Sequence, residues 1–590
     1  MSINRLTYDI IDNITQHLDG DDVIRLWLTG DSSWHTKLCQ CGGIQQLRIS
    51  LEHWKSIRWP SVVREFCHLT SFTFHDMVSS VEHHVRDVDL LTLPRTLKVL
   101  DISLSNDWDL FQDAISRSPT HFSDLEVIRM SVYEGRPVFD EKFRQSVPNL
   151  REISFPTPSA VSDLDVAMLP PYLTIFDCPV RSLVIGPTSR FPPTLTKLKM
   201  LIRTLDQDWV PLLPDALVYC VVLPSTAIPS TDYWQWHKLP RNLTLLETVV
   251  SNLTETLLRA LPSSMLVLSL RSFTIITSEL LSMLPSSITE LRGMLPPEIG
   301  MDLALALPKS LTILAETVQP HTIPKLPPNI TSIRIAGMTD VDDIAGETIS
   351  LPLRSVRAPR IPRRLSRILP QTVTSLRIAD GTASLQSLKA LPRHLTELSI
   401  LRTPPLEIDE GLQYLPHSLF SLNLQSIVIQ PGDEFVLSPD SSKWIPRQVT
   451  ELSLGPVRIP DDQWFSFLPR TITDLKLMII KSHSIIWNIN LPERLRTFQC
   501  GIDPLPENAV PNIIRALPIT LTTLIITTRD LEADTMVTDE ELINLPRGLR
   551  SLRIPTSTHL TPSIQDLLPP KLYTLNIQIK RIPKPEFLLR

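Results

Sequence analysis

One nine-residue phrase, Pro-x-x-Φ-x-x-Φ-x-Φ with Φ aliphatic or aromatic, recurs along the chain and limits what it can fold into. It reads PRTLKVLDI at Pro94, PPTLTKLKM at Pro192, PRHLTELSI at Pro392 and PPKLYTLNI at Pro569. With the proline relaxed, Φ-x-x-Φ-x-Φ opens at 23 positions from Ile44 to Leu572, a mean period of 24 residues. The third apolar position lapses at Thr248, Gly293 and Glu316, but the period is never lost. A unit this short cannot bury its apolar face alone, so self-similarity at this period predicts a stack of like units.

Residues 277–294, TSELLSMLPSSITELRGM, show how one unit is built. Thr277 and Ser278 suit a helix N-cap, Glu279 its first turn, and Leu280, Leu281 and Leu284 keep helical spacing. Pro285 stops that helix, because it has no N–H to continue the ladder and pushes its predecessor toward extended backbone. Ile288 then leads into a strand with Leu291 inward and Glu290 and Arg292 outward. The same grammar recurs at 461–477 and 538–554, and 18 of the 53 prolines stand three residues before a first Φ. Stacked units place their strands in one parallel sheet and their short helices on the opposite wall, an α/β architecture. Leu195, Leu217 and Leu243 are expected on neighbouring strands. Three buried aliphatic side chains per rung contribute about 1.5–3 kcal/mol each, before entropy is subtracted.

Charged residues make up 20% of the chain, and the net charge is −6. No run of 18 apolar residues is present, and the first residues show no basic stretch leading into an apolar one. Six cysteines scattered over 590 residues do not make a disulfide framework. The expectation is a soluble protein of the cytoplasm or nucleus.

The cores Leu195/Leu198/Met200, Leu419/Leu422/Leu424 and Leu549/Leu552/Ile554 resemble the Leu-x-x-Leu-x-Leu phrase of leucine-rich repeat proteins. The proline variant is similar to FNIP-type repeats, without their Phe-Asn dipeptide. The resemblance implies a leucine-rich repeat solenoid over residues 41–590, with a parallel sheet on the concave face and short helices or turns on the convex one. The asparagine that usually follows the core in that family is not regular here.

Residues 5–38 follow another pattern. Leu6, Ile10, Ile11, Ile14 and Leu18 fall at helical spacing, Asp19-Gly20-Asp21-Asp22 makes a turn, and Val23, Leu26 and Leu28 open a second helix. The order resembles an F-box, with Thr7 where that family has proline and Asp9 where it has glutamate. By that resemblance residues 1–40 form an all-α cap that docks on a Skp-type adaptor and cullin complex. Leu6, Ile11, Ile14, Leu18, Val23 and Leu26 would supply the adaptor face or its packing. Read without the resemblance, the same helices shield the first strand edge of the stack.

On the solvent side of the strands, Arg334, Arg357 and Arg377 occupy one position in three consecutive rungs, with Arg292 two rungs earlier. Between Glu347 and Asp380 there is no acidic residue, while Arg354, Arg360, Arg363, Arg364 and Arg367 also crowd in. Stacked like charges are unfavourable, and guanidinium forks suit carboxylate or phosphate. Arg292, Arg334, Arg357 and Arg377 are therefore candidates to bind an acidic or phosphorylated protein substrate. The competing reading is a solvated basic loop that never reaches the sheet.

Nucleic acid is a poorer match, since no helix carries a basic stripe with interleaved aromatics. Tyr233, Trp234, Trp236 and His237 read as an aromatic anchor or, more simply, as convex packing. No phosphate loop, His-Glu-x-x-His or Gly-x-Ser-x-Gly occurs. Cys39, Cys41, Cys67 and His68 lack zinc spacing, and His35, His83 and His84 are isolated. No catalytic residue, metal or cofactor is expected. The function expected is that of a non-enzymatic substrate-recognition subunit of a cullin–RING ubiquitin ligase. The alternative is a leucine-rich repeat scaffold with no ligase role.

Overall fold

In the computed structural model, the phrase proline has a second task besides ending a helix. Its carbonyl accepts the N–H of the first Φ three residues on, as from Leu97 to Pro94, Leu195 to Pro192 and Leu549 to Pro546, at 2.9–3.2 Å. The residue before the proline is extended, as at Leu261 (φ −63, ψ 131) and Leu415 (φ −62, ψ 140). Proline thus stops the preceding turn and opens the β-turn that feeds the strand. The structure describes residues 46–50, 68–75 and most of 90–577. Its gaps are at 104–106, 131–137, 156–162, 225–233, 336–348, 359–368, 380–387, 402–407, 426–434, 481–488, 529–536, 556–559 and 561–567, with a few shorter ones. The expected adaptor residues Leu6, Ile11, Ile14, Leu18, Val23 and Leu26 lie outside the described residues, as does the 40/41 boundary.

The chain divides into two compact units, residues 1–296 and 297–590. In the first, strands from Gln46–Ser50 to Glu290–Arg292 pair in parallel, each with the next rung's strand. Strands β1 (Lys197–Ile202), β2 (Tyr219–Pro224) and β3 (Leu245–Val250) follow Leu195, Leu217 and Leu243 and are neighbours, with Leu198 opposite Cys220 and Cys220 opposite Leu246. In the second unit the same order runs from Ile313–Val318 to Thr574–Ile577. It includes β4 (Ser332–Ile335), β5 (Ser355–Ala358), β6 (Ser375–Ile378), β7 (Glu397–Leu401), β8 (Ser421–Gln425), β9 (Glu451–Arg458) and β10 (Asp474–Ile480). Within each unit the rungs stack strand beside strand in parallel.

The core is the repeat phrase itself. From Leu69 to Leu549 every first Φ is no more than 1% exposed, so each rung seals its lead residue against the next. Opposite the sheet lie one-turn elements such as the Val166–Met168 and Trp236–Lys238 3-10 turns. The longest helix among the described residues, Asp107–Arg117, buries Trp108 among Phe111, Phe139, Phe143 and Phe155 at ring distances of 5.4–5.8 Å. In the 277–294 unit the helix is Ser278–Leu281, and Thr277 is its cap, accepting from the Leu280 N–H.

Hydroxyl rows tie successive rungs together where the strands begin. In several rungs a Thr or Ser just before the first Φ donates to a carbonyl of the preceding rung: Thr194 to Leu173, Ser287 to Met265, Thr372 to Leu353 and Thr471 to Val449, at 2.7–2.8 Å. A second row, just after the first Φ, runs from Thr196 to Thr174 and from Thr396 to Thr374. These bonds satisfy turn carbonyls at the end of the sheet. Two of the lapsed third positions also have local explanations. Gly293 takes φ +72, a left-handed conformation that favours glycine. Thr248 is fully buried and packs as a β-branched side chain.

Candidate functional site

Which face a strand residue occupies follows from the two-residue period. In β4, β5 and β6 the sequences SIRI, SVRA and SLRI bury the second and fourth residues and expose the arginine between them. Parallel pairing sets Arg334 directly opposite Arg357, and Arg357 directly opposite Arg377. The three guanidiniums therefore stand in one column on the open face of the sheet, not on a loop away from it. Arg354 is one row aside, with its backbone in the ladder to Thr331 and Thr374. Arg360, Arg363, Arg364 and Arg367 lie outside the described residues.

A cavity of about 480 Å³ lies over this column. Beside the arginines it is lined by a second column of hydroxyls, Ser332, Ser355 and Ser375, one on each strand. The sequence signal for these serines is the threefold Ser-Φ-Arg, which the search for arginines alone passed over. On β7 and β8 the arginine column continues as Ser399 and Asn423, and the serine column as Glu397 and Ser421. Glu397 is the acid in the cavity wall, and it takes the Ser375 hydroxyl at 3.0 Å rather than a guanidinium.

The electrostatics of this column differ from those of the same face in the first unit. There Arg129 donates to Glu152 at 2.7 Å and faces Asp101 at 3.9 Å. The Glu152 hydrogen bond pushes the Arg129 pKa up, against the opposing effect of burial. Lys199 sits 3.1 Å from Asp177 directly across the ladder, and Arg271 pairs with Glu247 at 3.8 Å. Arg292 belongs to that unit and is held by Glu290 of its own strand, its Nε at 2.6 Å. By contrast, Arg334, Arg357 and Arg377 have no ion-pair or hydrogen-bond partner for their side chains among the described residues. The face thus carries three adjacent planar donors and the hydroxyls of Ser332 and Ser355, which suits oxyanions.

The remaining candidates are placed more simply. Trp234 and Trp236 are 4% and 3% exposed; Trp234 packs between Trp209 and Trp236, so the pair is buried packing and no surface anchor. Tyr233, His35, His83, His84, Cys39, Cys41 and Cys67 lie outside the described residues. Cys178, Cys220 and Cys500 fill Φ positions, and burial pushes their thiols well above the ordinary range. Among the described residues no group of three His, Cys, Asp or Glu could hold a metal ion, and no helix is long and apolar enough to cross a membrane.

No family model matches the sequence, and no curated protein matches it. Among solved structures it is similar to CroV588, described as a novel circular leucine-rich repeat protein, with a TM-score of 0.33 and 18% identity over 86% of this chain and 69% of that one. It is also similar to the leucine-rich repeat-containing protein LegL7 of Legionella pneumophila, with a TM-score of 0.23 and 14% identity over 48% of this chain and 91% of that one. Likeness at that level carries no argument. The reading of the fold as a parallel repeat stack rests on the register and burial of the rungs themselves.

Proposed function

We propose that this chain is a recognition scaffold that grips an anionic segment of another protein on the Arg334–Arg357–Arg377 column. One observation carries the reading: three guanidiniums stand in register without an acidic partner among the described residues, while Arg129, Lys199, Arg271 and Arg292 are each given one. Leaving such charges unneutralised is unfavourable for folding, and an oxyanion ligand offsets it. The resemblance of residues 1–40 to an F-box extends the reading. Those residues dock on a Skp-type adaptor, and the chain serves as the substrate-recognition subunit of a cullin–RING ubiquitin ligase in the cytoplasm or nucleus. Its contribution is proximity, holding a target near a ligase that does the chemistry elsewhere.

Two experiments test the two parts. The triple variant Arg334→Glu, Arg357→Glu, Arg377→Glu is expected to lose at least ten-fold in affinity for an acidic or phosphorylated peptide, with its melting curve retained. Unchanged binding would remove the arginine column from the reading. Co-expression of a Skp-type adaptor with the full chain and with residues 1–40 deleted tests the ligase link. Capture by the full chain alone supports it, and capture by neither leaves a scaffold without a ligase role.

A further inference from the structure

The cavity over the arginines is basic at one end only. Past β6 the lining changes: the arginine column gives way to Ser399 and Asn423 on β7 and β8, and the Glu397 carboxylate joins the cavity wall. The Ser399 Oγ and the Asn423 Oδ1 are sealed from solvent, without a hydrogen-bond partner among the described residues, so the exposed carboxylate of Glu397 is what this end presents. Beyond them Glu451 and Asp474 continue the Glu397–Ser421 column on β9 and β10. A polyanion laid along this face would meet carboxylates immediately after leaving the guanidiniums.

We propose that the face reads a segment of mixed charge, with a phosphoserine or phosphothreonine over Arg334, Arg357 and Arg377 and a lysine or arginine over Glu397. This rests on the anionic-partner reading and adds the sign and spacing of the neighbouring charge. A phosphoryl group fits the basic end better than a carboxylate, because three forks and two free hydroxyls outnumber the two oxygens of a carboxylate. Its charge of about −1.5 to −2 also neutralises more of the column. Glu397 stands two ladder steps from Arg357, on the order of 10 Å. About three extended residues cover that distance.

Fluorescence anisotropy on the full chain decides the matter. The probes are short labelled peptides with one phosphoserine and a lysine three residues to either side, the same peptides with glutamate for lysine, a glutamate-for-phosphoserine control, and an oligouridylate as polyanion. One lysine-flanked phosphopeptide is expected to bind at least ten-fold tighter than its glutamate-flanked twin, and at least ten-fold tighter than the control. Glu397→Lys should reverse the flank preference without lowering the melting temperature. Indifference to the flanking charge, no effect of Glu397→Lys, or tighter binding of the oligouridylate would overturn the proposal. If the flank is ignored but the triple arginine variant loses binding, the anionic-partner reading survives and only the polarity falls. If phosphopeptides bind the triple variant as well as the unaltered chain, or bind neither, that reading falls too.

Discussion

Arg357 faces Arg377 directly across a parallel ladder, and neither guanidinium has an acidic partner among the described residues. Like charges in that position work against the sheet by a few tenths of a kcal/mol, up to about 1. Replacing Arg357→Gln is therefore expected to raise the denaturation midpoint slightly while weakening phosphopeptide binding by about ten-fold. Urea titration and anisotropy on the same variant measure both effects. A loss of stability with binding intact would mean that the column serves the fold.

The hydroxyl rows carry a stability prediction of their own. Thr471 Oγ1 lies 2.7 Å from the Arg447 carbonyl and 2.8 Å from that of Val449. Thr471→Val keeps the shape and removes the donor, so it should cost about 1 kcal/mol, read as a lower urea midpoint. Thr471→Ser keeps the donor and should recover most of the loss.

Thr248 calls for the opposite change. It is fully buried at a Φ position, and its Oγ1 has no hydrogen-bond partner among the described residues. Thr248→Val removes an unsatisfied hydroxyl at nearly constant volume and is expected to stabilise by about 1 kcal/mol. A thermal melt showing destabilisation would count against that burial.

Glu541 sets an acid limit on the last rungs. Burial alone would raise its pKa, but bonds from the Thr538 hydroxyl and backbone N–H, together with Arg515 at 2.8 Å, bring it below the ordinary carboxylate value. A depressed folded pKa means that the carboxylate contributes stability above the unfolded value of about 4.3, and that this is lost as the pH falls through the lower folded value. The stability gap between the unaltered chain and Glu541→Gln should be constant near neutrality and shrink below about pH 4.3. Urea midpoints of both proteins across that range measure it.

The sequence by itself determined the rung. An apolar phrase at a steady period must be buried, and proline can only close one element and open the next, so strand positions such as Leu198, Cys220 and Leu246 were legible before any coordinates. It also placed Arg334, Arg357 and Arg377 at one repeat position, although 23 and then 20 residues separate them. Tertiary structure decided what those positions mean. Whether a cation is free depends on which acid reaches it in space. Glu290 claims Arg292 along its own strand, and Glu152 claims Arg129 from the next, whereas Glu397 turns to Ser375. Side-chain reach across a ladder has no period to read, and for the same reason the hydroxyl rows became recognisable as inter-rung bonds only once the strands were paired.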